Sequence, residues 1–341
     1  MNNQLLFRAW KNAVCWSCLT AFAATAWADE PKSVDTKPIV IAHRGASGYL
    51  PEHTEGAKVL AIAQGSDYVE QDVVLTKDDV PVVMHDIHLD QVSNVADVFP
   101  DRKRDDGKYY AIDFTWDEIQ KLSAKERQSP RASAASRRFP GGFGQKIMRL
   151  EDEIRLVQGL NKTLGLNVGI YVELKGPAFH LKETGKPMGD KVLTVLKEFG
   201  YDSKETPCYI QCFEPEELKR LKAANCPLKL VQLIGGLPRG ETDSAKVMAG
   251  IAEYAEGVGP AIPALVEVTD SGEVKSSGFV EAAHKVGLQI HPYTIRADQL
   301  PPWAKNIEEL HRILFEQLRV DGAFTDFPDL TRTDVDRFAK E

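Results

Sequence analysis

Positive charge is in short supply. Across 341 residues, 42 lysines and arginines face 50 aspartates and glutamates, for a formal net charge of −8. A nucleic acid or an anionic membrane surface would call for a basic patch, so neither is expected as a partner. Any attraction to phosphate must come from local cations or from a metal. Cysteine is scarce as well, with five residues, two of which (Cys15 and Cys18) lie near the N-terminus. The other three, Cys208, Cys212 and Cys226, permit at most one internal disulfide, with Cys212–Cys226 as one option. Without a matching histidine cluster they make no zinc site, and they read as structural. Several catalytic signatures are missing too: no G-x-S-x-G elbow, no G-x-x-x-x-G-K-[ST] loop and no H-E-x-x-H pair. Gly235-Gly236 lacks the third glycine of a dinucleotide fingerprint.

There is one long apolar run, residues 13–27, and it is too short for a stable membrane anchor. Arg8 and Lys11 precede it, and it ends in Ala26-Trp27-Ala28 before Asp29-Glu30. This is the pattern of a secretory signal removed after Ala28, so residues 29–341 are expected as the mature, exported protein. Removal of 1–28, which contain Arg8 and Lys11 and no acidic residue, takes two positive charges from −8 and leaves −10. The remaining length suits one barrel-sized domain or two small ones.

Eight β-rich runs, at 39–43, 68–74, 169–175, 208–213, 229–234, 257–262, 288–294 and 322–327, alternate with helical patterns. The helices are expected at 54–64, 151–160, 190–199, 215–224, 245–255, 276–286 and 307–318. Alternation of this kind predicts parallel strands joined by crossover helices, and eight units predict an α/β fold, a TIM (β/α)8 barrel. One further strand at 81–85 follows the second after only Lys77-Asp78-Asp79-Val80, too few residues for a crossover, so it must fold back as a hairpin. That pairing places His85 beside Glu70 and Asp72. Residues 99–148 fit no barrel unit and read as an insertion over the barrel mouth, ordered around a helix signal at 112–122. The charge run Asp101–Asp106 within it reads as a solvated face.

Chemistry concentrates at strand ends. His43-Arg44-Gly45 closes the first strand: an imidazole that exchanges protons near neutrality sits beside a guanidinium that grips anions. Period-two alternation puts Glu70 and Asp72 on one face of the second strand and Gln71 on the other, and Glu173 and Lys175 share a face of the next unit. Three carboxylates buried together are costly unless cations compensate. Either a hard cation such as Ca²⁺ or Mg²⁺ sits among them, or Lys175 and Arg44 close a metal-free ion-pair network. His43 and His85 are aimed at the same cavity and suit paired acid and base work on a phosphate. His88, His180, His284 and His311 read as core or surface residues. Thr325-Asp326-Phe327-Pro328 is either a packing corner or a rim contact to substrate.

In order and spacing, His43-Arg44-Gly45, Pro51-Glu52-His53-Thr54, Glu70-Gln71-Asp72, His85-Asp86, Glu173-Leu174-Lys175, Gln211-Cys212-Phe213 and Thr325-Asp326-Phe327-Pro328 together resemble the glycerophosphodiester phosphodiesterases. The likeness spans roughly 38–330 and is strongest to the exported, periplasmic type. It implies a TIM barrel that hydrolyses deacylated phospholipids, such as glycerophosphocholine or glycerophosphoethanolamine, to sn-glycerol 3-phosphate and an alcohol. By that resemblance Glu70, Asp72 and Glu173 match the metal ligands, usually for calcium, with magnesium the alternative. His43 and His85 match the catalytic pair, and Arg44 and Lys175 the phosphate-side cations. Glu52 matches an acid at the site edge, and Gln211 and Tyr293 are expected at the substrate. Asp90-Gln91 departs from the Asp-Arg of many members, and the loop 235–244 is shorter than in the typical exported form. Two other readings remain: a phospholipase D-like or phosphoinositide-type lipase on the same barrel, which would want an apolar rim, and a non-catalytic metal-binding module.

Overall fold

The computed structural model describes residues 37–127, 144–238 and 240–340. Residues 1–28, expected to be the export signal, lie outside the described residues. The described residues, from Lys37 onward, form one compact unit. Twelve strands follow in order: β1 (Ile39–Ala42), β2 (Tyr68–Leu75), β3 (Pro81–Val83), β4 (Met148–Arg149), β5 (Gly169–Leu174), β6 (Cys208–Cys212), β7 (Lys229–Ile234), β8 (Gly257–Pro260), β9 (Val266–Val268), β10 (Val274–Ser276), β11 (Gln289–Ile290) and β12 (Gly322–Thr325). Eight of them pair in parallel in the order β11-β8-β7-β6-β5-β2-β1-β12. The ring closes where Asp321 N–H donates to Ile290 C=O at 3.1 Å and Phe324 N–H to Pro292 C=O at 2.9 Å. This is the expected TIM barrel. Its strands are buried on both faces, which is why they read as short, continuous apolar runs such as Ile39–Ala42.

Two cores result. The larger lies between the strands and the surrounding helices and includes Val40, Val69, Ile170, Ile210, Leu218 and Leu314. Inside the barrel, Ile41, Tyr171, Tyr209, Val231 and Phe324 pack together, with Tyr171 stacked on Tyr209 at 4.7 Å and edge-on to Phe324 at 5.0 Å. These rings form an apolar floor beneath the charged ends of β2 and β5.

The structure departs from the sequence reading in definite places. The β11 strand ends at Ile290, although His291 N–H still donates to Val258 C=O and Tyr293 N–H to Pro260 C=O, and pairing resumes at an isolated bridge between Ala261 and Tyr293. Helices at Pro177–Thr184 and Pro328–Phe338 were not anticipated; each opens with proline at its first turn, where the missing N–H costs nothing. The β9–β10 hairpin was also not anticipated. The hairpin strand after β2 is antiparallel as expected, in the register Val73↔Val83, but ends at Val83 rather than at residue 85.

Between β3 and β4 the chain builds a third core around Val82, Leu89, Phe114, Ile119 and Leu122. The helix signal at 112–122 resolves into a 3-10 turn, Ala111–Asp113, and a short helix, Trp116–Ile119, closed by a capping box between Thr115 and Glu118. Nor is the run Asp101–Asp106 simply a solvated face. Arg102 lies over the Phe114 ring at 4.6 Å and pairs with Glu118 at 2.7 Å. Arg104 grips Asp113 at 2.7 Å and reaches Glu183 of the helix Pro177–Thr184 at 2.9 Å, which ties this segment to the barrel.

All three described cysteines are free thiols, so the optional Cys212–Cys226 bridge is not formed. No described helix is long and apolar enough to cross a membrane.

Candidate active site

Tight turns after β1 deliver the first residues. Gly45 has φ +86°, and a Cβ there would stand 2.8 Å from the Ala57 carbonyl carbon. Gly45→Ala is therefore expected to destabilise the fold by about 2 kcal/mol or more and to displace the neighbouring His43-Arg44 pair. Urea unfolding checks the first effect. Arg44 itself sits at φ +59° and His53 at +58°, conformations that non-glycine residues adopt only under constraint. The constraint is visible: Arg44 N–H donates to Glu70 Oε2 at 2.8 Å, and its carbonyl accepts from His53 N–H at 2.9 Å. Thr54 then caps the helix Glu55–Ala63, accepting from Ala57 N–H.

At the barrel mouth, Glu70 and Asp72 face inward from β2, and Glu173 from β5. One oxygen from each lies within 4.8 Å of the others, and all three residues are buried. Gln71 faces the opposite way, toward Glu153, as alternation requires. Crowding sets the carboxyl charges. Burial, then Asp72 and Glu173, push Glu70 well above the usual carboxylate range. Burial and Asp72 push Glu173 up to about 8. Burial would raise Asp72 as well, but Lys175 and His53 override it and hold it well below. Asp72 Oδ1 is buried without a hydrogen-bond partner. Surplus negative charge, an unpartnered oxygen and an all-oxygen donor set fit a hard divalent cation.

Cations ring the cluster. Lys175 Nζ lies 2.7 Å from Glu173, while Arg44 reaches Glu52 at 3.0 Å and Asp72 at 3.6 Å. Glu52 bridges Arg44 and Arg127, taking the Arg127 fork at 2.7 Å on both oxygens. Those guanidiniums outweigh burial and hold Glu52 well below its ordinary range. Gln211 is wholly buried and donates from Nε2 to Glu70 Oε1 at 2.8 Å. Tyr293 donates its hydroxyl to the Ile234 carbonyl at 3.1 Å, and its ring meets the exposed ring of Phe213 edge-on at 5.7 Å.

Both imidazoles are oriented by aspartates. His43 Nδ1 lies 2.6 Å from Asp326 Oδ1, and His85 Nδ1 lies 2.6 Å from Asp86 Oδ1. A carboxylate only accepts, so each Nδ1 carries the proton and each Nε2 is left for chemistry. His43 Nε2 stands 4.0 Å from Glu70 Oε2. Burial and then the Arg44 charge lower both imidazoles, His85 to about 4. The charge of Asp72 acts on both in the opposite direction. His85 follows the point where the chain leaves the ladder after Val83, with Met84 N–H still donating to Asp72 C=O at 2.8 Å. Arg127 holds the far oxygen of Asp86 at 2.7 Å.

Several of these residues had no role in the sequence reading. Asp326, left open between a packing corner and a rim contact, is buried and partners His43; β12 lies beside β1, so an acid one residue past the end of β12 was a usable signal. Asp86 stood next to a candidate histidine. Arg127, Lys58 and Glu153 carried no local signal, and His53 stood in the Pro51–Thr54 motif without an assigned role. The four histidines read as core or surface include His180 and His311, both fully enclosed, His311 between Asp334 and Thr331.

With this geometry in place, the likeness to known proteins can be weighed. The model of the glycerophosphoryl diester phosphodiesterase family matches residues 43–330. A glycerophosphodiester phosphodiesterase of Haemophilus influenzae is 41% identical over 320 residues, covering 85% of this chain and 88% of its own. One of Treponema pallidum is 38% identical over 323 residues, covering 86% and 90%. Among solved structures, a glycerophosphodiester phosphodiesterase of Agrobacterium tumefaciens superposes with a TM-score of 0.56 at 22% identity, covering 87% of this chain and 99% of that one. An Oleispira antarctica phosphodiesterase, solved with its product sn-glycerol-3-phosphate, gives 0.60 at 21% identity, covering 88% and 97%. The structural likeness speaks to the barrel, and the sequence likeness to descent: this chain belongs to the glycerophosphoryl diester phosphodiesterase family.

Proposed function

We propose that this protein hydrolyses glycerophosphodiesters, such as glycerophosphocholine or glycerophosphoethanolamine, to sn-glycerol 3-phosphate and an alcohol. The observation that carries this reading is the cluster of Glu70, Asp72 and Glu173 at the barrel mouth, with the Asp326-held His43 Nε2 4.0 Å from Glu70. Overall one water is consumed: the phosphorus bond to the departing alcohol breaks and a new phosphorus–oxygen bond forms. His43 and His85 work through Nε2: the neutral ring takes the proton of the attacking hydroxyl, while the other enters the reaction with a second proton on Nε2 and gives it to the leaving oxygen. Asp326 and Asp86 keep the working nitrogens aimed while Nδ1 stays protonated. Arg44 and Lys175 offset the phosphate's negative charge, and Glu52 limits how far Arg44 can swing. Gln211 steadies Glu70 from beneath, and Tyr293 with Phe213 forms an aromatic wall for the substrate's carbon skeleton. Glu70, Asp72 and Glu173 would hold a divalent cation, Ca²⁺ before Mg²⁺, which would supply positive charge to the phosphoryl group in the transition state.

Residues 29–341 make up the catalytic domain in this reading, with 99–148 as an insertion at its mouth. The basic, apolar and small-residue pattern of 1–28 supports export to the periplasm, where no stable anchor or nucleic-acid partner is needed. Incubation of the purified protein with glycerophosphocholine is expected to release sn-glycerol 3-phosphate, followed with a coupled dehydrogenase. Intact phosphatidylcholine is expected to remain uncut, because charged residues such as Arg104 and Arg127, rather than an apolar rim, line the segment above the barrel. Preference for the intact lipid would replace this reading with the lipase one, and absence of sn-glycerol 3-phosphate would sink it.

A further inference from the structure

Behind the acidic cluster, between the barrel and its helices, the Lys58 side chain is wholly enclosed. A buried ammonium is tolerable only when its charge and every N–H are matched. Here all three are. Lys58 Nζ donates to the main-chain carbonyl of Glu70, lies 2.7 Å from Glu153 Oε1, and lies 3.3 Å from His53 Nδ1. An ammonium has no lone pair, so His53 Nδ1 must be the acceptor and the single ring proton must sit on Nε2. That nitrogen is 2.7 Å from Asp72 Oδ2 and donates to it. One oxygen of Asp72 is thus held in place, while Oδ1, buried and without a hydrogen-bond partner, is left over.

We propose that Lys58 and His53 form a buried orienting relay: Glu153 neutralises Lys58, Lys58 fixes the His53 tautomer, and His53 turns Asp72 so that its free oxygen serves the cation. Both are positioning residues; neither touches substrate. The relay also reaches Glu70 through its carbonyl, so one lysine steadies two of the three acids. It rests on the reading of Glu70, Asp72 and Glu173 as a cation site.

Calorimetric titration of the purified protein with calcium chloride separates the two ideas. The native protein is expected to bind calcium, and His53→Phe, which keeps a ring but donates nothing, is expected to raise Kd about 10- to 100-fold. Saturating calcium should then restore most of the lost turnover. His53→Gln, whose amide can donate to Asp72, should stay within a few-fold of native. A purely structural role would lower the melting temperature yet leave Kd unchanged in the folded fraction and give His53→Gln no advantage. If His53→Phe does not fold, Lys58→Met with Glu153→Gln removes both buried charges together and is expected to raise Kd about tenfold by freeing the tautomer. Calcium binding in the folded variants within twofold of native overturns the relay. A native protein that binds neither calcium nor magnesium overturns the cation reading instead.

Discussion

Alanine at His43 or at His85 is expected to lower kcat for glycerophosphocholine by about 10²- to 10⁴-fold while leaving the fold intact. Both side chains are partly exposed, 18% for His43 and 29% for His85, so truncation opens no sealed cavity and unfolding midpoints should move little. The loss should fall on kcat more than on KM, because proton transfer matters at the transition state and the proposed grip on the phosphate, by Arg44 and Lys175, is left in place. The double variant should be little worse than either single one, since a two-proton relay fails when one end is gone. Steady-state kinetics with the coupled dehydrogenase, beside circular dichroism of each variant, measure all of this. Turnover within a few-fold of native in a folded His43→Ala protein would remove the imidazole pair from the mechanism.

Chelation is expected to have an effect of the same order. Treatment with EDTA should abolish turnover, and added calcium should restore it. The physical basis is the congestion of three carboxylates without enough positive charge nearby. Glu173 is pushed up to about 8, so near neutral pH it retains a proton that a cation would displace. Calcium binding at pH 7 should therefore release protons, and its apparent affinity should rise as the pH increases toward 8. Calorimetry in two buffers of different ionisation enthalpy counts those protons. Saturation at 100 times Kd should also stabilise the fold by about 2.7 kcal/mol, visible as a higher melting temperature. Full activity in a chelated protein shown to be metal-free would leave the carboxylates to the ion-pair network closed by Lys175 and Arg44.

The barrel was legible because parallel strands buried on both faces have nothing polar to interrupt them until their ends. Tyr68–Leu75 shows both halves of that rule: Val69, Val73 and Val74 fill space, while Glu70 and Asp72 mark the side turned to the mouth. The hairpin at Pro81–Val83 followed from a connection too short for anything else. Proline hid what remained. At Pro177 and Pro328 it opens helices and so resembles a turn. The acids and the two working histidines stood in recognisable strand-end positions. Lys58 did not: it sits among Ala57, Ala61 and Ile62 on a short helix, and a lysine there looks solvent-facing until Glu153, 95 positions later, is folded against it. Arg127 likewise gains meaning only from Glu52 and Asp86, which the fold brings to it from distant positions.

The rings of Tyr171, Tyr209 and Phe324 make the barrel a cup rather than a tunnel. Whatever is cleaved above them has a single doorway, the one by which it arrived. Each catalytic cycle must then end in two departures through the same opening, and on the proposed roles of Arg44 and Lys175 the fragment that keeps the phosphate is the second to go.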